Sequence, residues 1–181
     1  MARYQFNAYM IHHRKQWYRF ITHAFLHADW IHLIVNMFVL FSFGNSVERW
    51  LGRYFGDVAP LIYLGLYFTS IVVASVSTYR KNKDNHWYNA VGASGAVSAV
   101  LFSGIVFDPF NELLIYGIIP VTSIIFAVLY IAYSIYSSRN ANDNVNHDAH
   151  LWGSIYGVVF TLLLNPAITA EFFTQIQDKF R

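Results

Sequence analysis

Five apolar stretches, each closed off by polar or charged residues, constrain this chain more than any other feature: Trp30–Gly44, Val58–Thr78, Ala90–Phe107, Leu113–Tyr136 and Ala149–Asn165. A helix that crosses a bilayer needs about 20 residues, within a range of about 17 to 25. The second, third and fourth stretches meet that length. The first and last are shorter and carry polar side chains, so neighbouring helices are expected to shield them from lipid. The connectors Glu48–Asp57, Arg80–Asn89, Asp108–Glu112 and Ser137–Asp148 hold most of the charge, with Asn and Gly in turn-forming density. A soluble protein carries about 25% charged residues. Here the figure is 12%, clustered, against 56% hydrophobic residues and a mean hydropathy of +0.36. The expectation is an all-α, polytopic transmembrane helical bundle, one domain over residues 1–181, with the lipid bilayer as its solvent.

Ahead of the first stretch, Arg3–Asp29 is rich in His, Arg and aromatic residues. Trp17, Tyr18 and Phe20 beside Arg14, Lys15 and Arg19 suit the headgroup region, so residues 3–29 read as an interfacial segment. Met1 to Met10 has neither the apolar run nor the cleavage site of a secretory signal. A net charge of +2 without a basic stripe argues against nucleic acid as a partner. The absence of cysteine excludes disulfides, a thiolate nucleophile and Cys-ligated zinc. With five alternating spans, Arg14, Lys15, Arg19, Arg80, Lys81, Lys83 and Arg139 fall on one side, and Arg49, Arg53, Lys179 and Arg181 on the other. The positive-inside rule taken alone would put the N-terminal segment in the cytoplasm.

Strongly polar side chains inside apolar spans are costly and mark candidate functional positions. His32 and Asn36 are four apart, so on a helix they project from one face. A second group joins Gly92-Ala-Ser94-Gly95 to His147-Asp-Ala-His150-Leu-Trp-Gly153-Ser-Ile-Tyr-Gly157. Gly95, Ala99 and Ser103 recur every four residues, while His150, Gly153 and Gly157 share a face at i, i+3 and i+7. Small residues at such spacing let two helix backbones come unusually close. Paired that way, the two helices bring Ser94 within reach of His150. A serine hydroxyl becomes a useful nucleophile when an adjacent base takes its proton, and neutral histidine suits that task. A helix starting after Gly92 offers unpaired N–H groups where an oxyanion would form, with His32 and Asn36 as further donors. Each motif taken singly is more readily explained as a packing device; the combination carries the chemistry.

Together these residues resemble the rhomboid family of intramembrane serine proteases, over Trp17 to about Gly157. His27-Ala-Asp-Trp-Ile-His32-Leu-Ile-Val-Asn36 is similar to the family's His-rich second helix, Gly92-Ala-Ser94-Gly95 to its nucleophile motif, and Ala149-His150-Leu-Trp-Gly153-Ser-Ile-Tyr-Gly157 to its catalytic helix. The resemblance implies Ser94 as nucleophile and His150 as general base, with His32, Asn36 and the Ser94 N–H as oxyanion hole. It implies close packing at Gly92, Gly95, Gly153 and Gly157. Arg19 matches the basic position of the interfacial segment, His27 a structural histidine, and Glu48 with Gly52 the turn after the second helix. It also implies transmembrane protein substrates, no cofactor, and an integral membrane location, expected to be a bacterial inner membrane. The family core has six spans. The one before the interfacial segment has no counterpart among the five, which implies an absent N-terminal helix or a second polypeptide piece.

Other departures are visible. Ser98 stands where the family often has a tyrosine that stacks on the catalytic histidine, and Tyr18 stands where tryptophan is common. The Asn140–His147 loop, expected to cap the site, is polar. The family's arrangement puts the interfacial segment, Arg80–Asn89 and Ser137–Asp148 outside, against the charge count, and is adopted here. Two alternatives stay open on these residues. One is a rhomboid-like module that binds membrane proteins without cutting them. The other is a metal or haem protein built on the eight histidines, with His23 and His27 at i, i+4. His-Glu-x-x-His is absent and no acidic residue lies mid-span, so no metal is expected.

Overall fold

The computed structural model describes residues 2–115, 118–140, 143 and 145–181. Part of the Leu113–Tyr136 stretch and part of the Asn140–His147 loop therefore lie outside the described residues. In chain order the elements are α1 (Ala8–Arg14), α2 (Arg19–Thr22) running into a 3-10 turn at His23–Phe25, α3 (Trp30–Phe55), a second 3-10 turn at Gly56–Val58, α4 (Ala59–Asn82), α5 (Ser94–Phe107), β1 (Glu112–Ile115), β2 (Ile119–Thr122), α6 (Ser123–Asn140), α7 (His147–Leu164) and α8 (Pro166–Lys179). The five apolar stretches correspond to α3, α4, α5, α6 and α7, and among the described residues the chain is all-α apart from one short hairpin.

The helix boundaries differ from the apolar boundaries for identifiable reasons. Asp29 caps α3 by accepting from the His32 N–H, and the helix then runs 26 residues to Phe55. Glu48, Arg49 and Arg53 end the apolar run without ending the helix, because charge is tolerated on helical turns that reach the polar boundary. Glu48 and Gly52, expected at a turn, therefore lie inside α3, and the turn comes at Gly56, whose φ of +54° favours glycine. The Leu113–Tyr136 stretch is likewise not one helix. Glu112–Ile115 pairs antiparallel with Ile119–Thr122, and α6 starts only at Ser123. Ile118, Ile119, Val121 and Thr122 are β-branched and Pro120 lacks a donor, so this segment resists a helix interior.

The apolar core is accompanied by an apolar surface, unlike that of a water-soluble protein. Phe38 and Phe41 on α3, Leu61 on α4, Val128 and Leu129 on α6 and Leu163 on α7 are exposed. Ser70, Ser75, Ser98, Ser103, Ser154 and Thr161 are buried. Apolar groups outside and small hydroxyls between helices are what a lipid solvent selects, since association there depends on close packing and interhelical hydrogen bonds. By length and composition, one described helical run, Trp30–Asn82, can cross a membrane, and α7 with α8 pass the same test together across a 113° bend. Asn165 makes that bend by accepting from the Ala167 N–H ahead of Pro166.

At the centre lies α5, fourteen residues long and so about 21 Å at 1.5 Å per residue. That is short of a bilayer's hydrocarbon core of about 30 Å. Apart from Ser94 and Gly104 its residues are buried, surrounded mainly by α3, α4 and α7. The helix can therefore begin inside the protein, with its polar N-terminus screened from lipid. The interfacial segment straps the chain leading into it. Phe6 and Ala90 exchange backbone hydrogen bonds at 2.9 and 3.0 Å, and the Gly92 N–H donates to the His23 carbonyl at 3.0 Å. Arg19 anchors that segment: buried, it donates to Gln16 Oε1 at 2.7 Å, to the Ala2 carbonyl at 3.1 Å and to the Gln5 carbonyl at 2.6 Å.

Candidate active site

The closest helix pair in the bundle is α5 with α7, and glycine makes it possible. A methyl on Gly153 would run into the Gly95 carbonyl, and one on Gly157 into the Ala99 carbonyl. One on Gly95 would sit 2.8 Å from the Ala74 methyl and 3.1 Å from the Ala149 carbonyl, so α4 closes on the same point. Two turns further along, the Thr161 and Ser103 hydroxyls share a hydrogen bond, Oγ1 to Oγ at 2.7 Å. At the other end of this seam Ser94 Oγ lies 2.7 Å from His150 Nε2.

Ser94 opens α5, which like α2 and α4 starts without a side-chain cap. Helices α1, α3, α7 and α8 are capped by Asn7, Asp29, Asn146 and Asn165, each accepting from a first-turn N–H. α5 has Ala93 at that position and no side-chain cap. The first-turn N–H groups are thus left for a ligand oxygen. Gly92, at φ +117°, aims the chain into the helix in a conformation that L side chains rarely adopt.

His32 lies against this turn. A Cβ on Gly92 would come within 2.6 Å of its Cε1 and 2.7 Å of its Nε2. The Ala28 N–H points at His32 Nδ1 from 3.4 Å. A backbone N–H can only donate, so Nδ1 accepts and the neutral ring carries its hydrogen on Nε2, the atom facing Gly92. Asn36, buried one turn along α3, donates one amide hydrogen to the His32 carbonyl at 2.8 Å and keeps the other. His27 packs edge-on to His32 with ring centroids 5.1 Å apart. Burial, and the His32 ring beside it, lower its pKa.

Behind Ser94 is a small cavity of about 20 Å³, lined by His23, Ser75, Gly92, Asn146 and Ala149 among others. About 10–15 Å³ holds one water. His23 Nδ1 lies 2.9 Å from the Arg19 carbonyl and must donate to it. Ser75 Oγ donates to the Ile71 carbonyl at 2.9 Å and lies 3.4 Å from His23 Nε2. The His23 Nε2 lone pair is therefore available to a water. Burial lowers the His23 pKa and keeps the ring neutral.

Several residues around the pair carry no motif signal. Asn146 Oδ1 accepts from the Ala149 N–H at 3.1 Å and from Thr78 Oγ1 at 3.0 Å, tying α7 to α4. A cap residue just before an apolar helix is the signal that could have identified it. Tyr130 on α6 lies beside His150, ring centroids 6.3 Å apart at 31°, and nothing in its sequence surroundings marks it. Asp143 sits 3.2 Å from His147 Nε2 through both carboxylate oxygens, and the His147 ring is 6.1 Å from that of His150. The Val145 N–H and then the His147 ring hold the Asp143 carboxyl below its usual range. Glu48 is exposed on α3, away from this constellation. His23 and His27 do not share a helical face, because the chain leaves helical geometry at Leu26. Among the described residues no three His, Asp or Glu side chains converge as a metal site requires.

Comparison with known proteins bears on the whole arrangement. The Rhomboid domain family matches residues 14–167. Rhomboid-like protein 11, chloroplastic, of Arabidopsis thaliana is 31% identical over 172 residues, covering 90% of this chain and 58% of the relative. RHOMBOID-like protein 12, mitochondrial, of the same plant is 29% identical over 77% of this chain and 44% of the relative. A Bacillus subtilis (strain 168) protein named "Putative rhomboid protease YdcA" is 30% identical over 82% of this chain and 67% of its own length. The chain thus spans about half the length of the two plant relatives. With the family matched over most of its length, this chain belongs to the rhomboid family, whose members are integral membrane proteins.

Proposed function

We propose that this chain is an intramembrane serine endopeptidase that cuts peptide bonds in or near transmembrane segments of other membrane proteins. The observation that carries the reading is the 2.7 Å contact between Ser94 Oγ and His150 Nε2 inside a helical bundle with large apolar side chains on its surface. The Ser94 oxygen attacks the substrate carbonyl while His150 Nε2 takes the hydroxyl proton. The resulting oxyanion is met by the Ser94 N–H at the uncapped start of α5, by His32 Nε2–H and by the second amide hydrogen of Asn36. His150 passes its proton to the leaving amine, and the C–N bond breaks. A water from the His23–Ser75 cavity then attacks the acyl-enzyme, with His150 again as base, and Ser94 regains its proton.

The substrate enters as a helix from the bilayer. Among the described residues α6 packs mainly on α7, and α3 mainly on α5 and α4; the proposed entry lies between α3 and α6, on the side given to lipid. A helical carbonyl is spent on its own i+4 N–H, so the cleaved segment must unwind locally. Substrates with small or helix-breaking residues at that point are favoured. The proposed location is a bacterial inner membrane, one of the chain's relatives being from Bacillus subtilis (strain 168). An additional helix, supplied ahead of the interfacial segment or as a separate polypeptide, is part of the same proposal.

The test is cleavage of a single-span reporter in proteoliposomes by the chain, by Ser94→Ala and by His150→Ala, each with and without an N-terminal extension. Cleavage by the parent alone supports the reading. Reporter binding without cleavage in every case favours the non-proteolytic membrane-protein binding module instead.

A further inference from the structure

Ser98 lies one α5 turn beyond Ser94 on the same face, and its small side chain leaves room beside His150. That room is filled from a different helix. Tyr130 of α6 shares a hydrogen bond with Ser98, Oη to Oγ at 2.9 Å, and sets its ring 6.3 Å from the His150 ring at 31°. Phe102, a further turn along α5, and Phe126, a turn back on α6, pack against the phenol, each 5.6 Å away between centroids. These separations fall in the range where aromatic rings attract each other beyond simple burial. Ser98 itself is buried, so its hydroxyl needs a partner and Tyr130 supplies it.

We infer that Tyr130 is the positioning residue for His150, supplying from α6 the aromatic ring that α5 lacks at Ser98. The inference rests on His150 being the base. Among the described residues the His150 side chain is hydrogen-bonded through Nε2 to Ser94; a ring held at one atom can still swing about its side-chain torsions, and each swing takes Nε2 off the Ser94 hydroxyl. A flat ring alongside, itself fixed at both its edge and its hydroxyl, removes those alternatives. Effects of this kind act on the chemical step, since a misaligned base costs rate without touching substrate contacts. Because the ring is carried by α6, which borders the proposed entry, alignment of the base depends on α6 being docked against α5.

The test uses the full chain in proteoliposomes with the single-span reporter, reading kcat and KM separately for Tyr130→Ala, Tyr130→Leu, Tyr130→Phe and the double change Tyr130→Ala with Ser98→Tyr. Tyr130→Leu refills the volume without a flat ring, so it answers the question if the alanine variant fails to fold. The expected result is a fall in kcat of about 10- to 100-fold for Ala and Leu with KM within about twofold. Tyr130→Phe keeps the ring and loses only the Ser98 bond, so it retains most of kcat. Returning an aromatic ring from α5 in the double variant recovers at least part of the loss. Parental kcat in Tyr130→Leu, or a change confined to KM, overturns the inference while leaving the protease reading intact. Absence of cleavage in the parent chain overturns that reading instead.

Discussion

Gly153 of α7 rests directly on the backbone of Gly95 in α5, with no space for even a methyl group between them. Neither wall can yield, since the obstructing atoms are main chain. Gly153→Ala must push the helices apart and draw His150 from Ser94. Overpacking of this kind costs about 1–3 kcal/mol, and thermal unfolding in detergent should fall accordingly, with cleavage reduced more than the folded fraction. Gly52, inside α3 with nothing within 4 Å of where a methyl would stand, is the control. Gly52→Ala should raise stability by up to about 1 kcal/mol, because glycine is a poor helix former.

Gly92 makes a different prediction. At φ +117°, with the His32 ring within 3 Å of where a Cβ would stand, Gly92→Ala suffers backbone strain and displaces a proposed oxyanion donor. Activity should drop by at least about 100-fold, the scale of losing one such donor. Comparing the fall in kcat with the change in unfolding temperature separates the site effect from loss of fold.

Much of the fold was legible in the sequence, and its limits have physical causes. Apolar length located α3 to α7 because lipid exposure demands it. It could not reveal that α3 runs on to Phe55, since a helix does not stop where its apolar face does. Nor could it separate Leu113–Thr122 from a helix, because short apolar runs of either kind look alike. The last helix, α8, is not anticipated by the apolar stretches; its local signal is Asn165-Pro166, a cap followed by a favoured first-turn proline. For the site, spacing predicted which helices meet at Ser94 and His150, because glycine every three or four residues has a direct geometric meaning. Tyr130 was beyond reach: Ser98 marked a vacancy, but only the packing of α6 says who fills it.

Buried His23 predicts a pH dependence of stability. Its folded pKa lies below the ordinary 6.5, so the unfolded chain binds the extra proton first as pH falls. Stability is therefore full above about pH 6.5 and declines as pH drops below it toward the folded pKa. More exposed His27 shifts in the same direction. Unfolding temperatures between pH 8 and pH 5 should fall in the parent chain, with a flatter profile in His23→Gln. Identical profiles would remove His23 from the account.

Arg19 tests the interfacial strap. Its guanidinium serves three acceptors at once, a geometry that lysine cannot reproduce. Arg19→Lys should cost about 2 kcal/mol, the scale of a charge-assisted hydrogen bond. Hydrogen exchange should quicken first at Phe6 and Ala90, whose backbone bonds fasten the chain ahead of Ser94.

The most direct measurement is covalent labelling with a fluorophosphonate, followed by mass spectrometry of the modified peptide. An activated serine is predicted to carry the label on Ser94 in the parent chain. Ser94→Ala should show none, and His150→Ala should label far more slowly while remaining folded. Equal labelling of the parent and Ser94→Ala would contradict the assignment of Ser94 as the nucleophile.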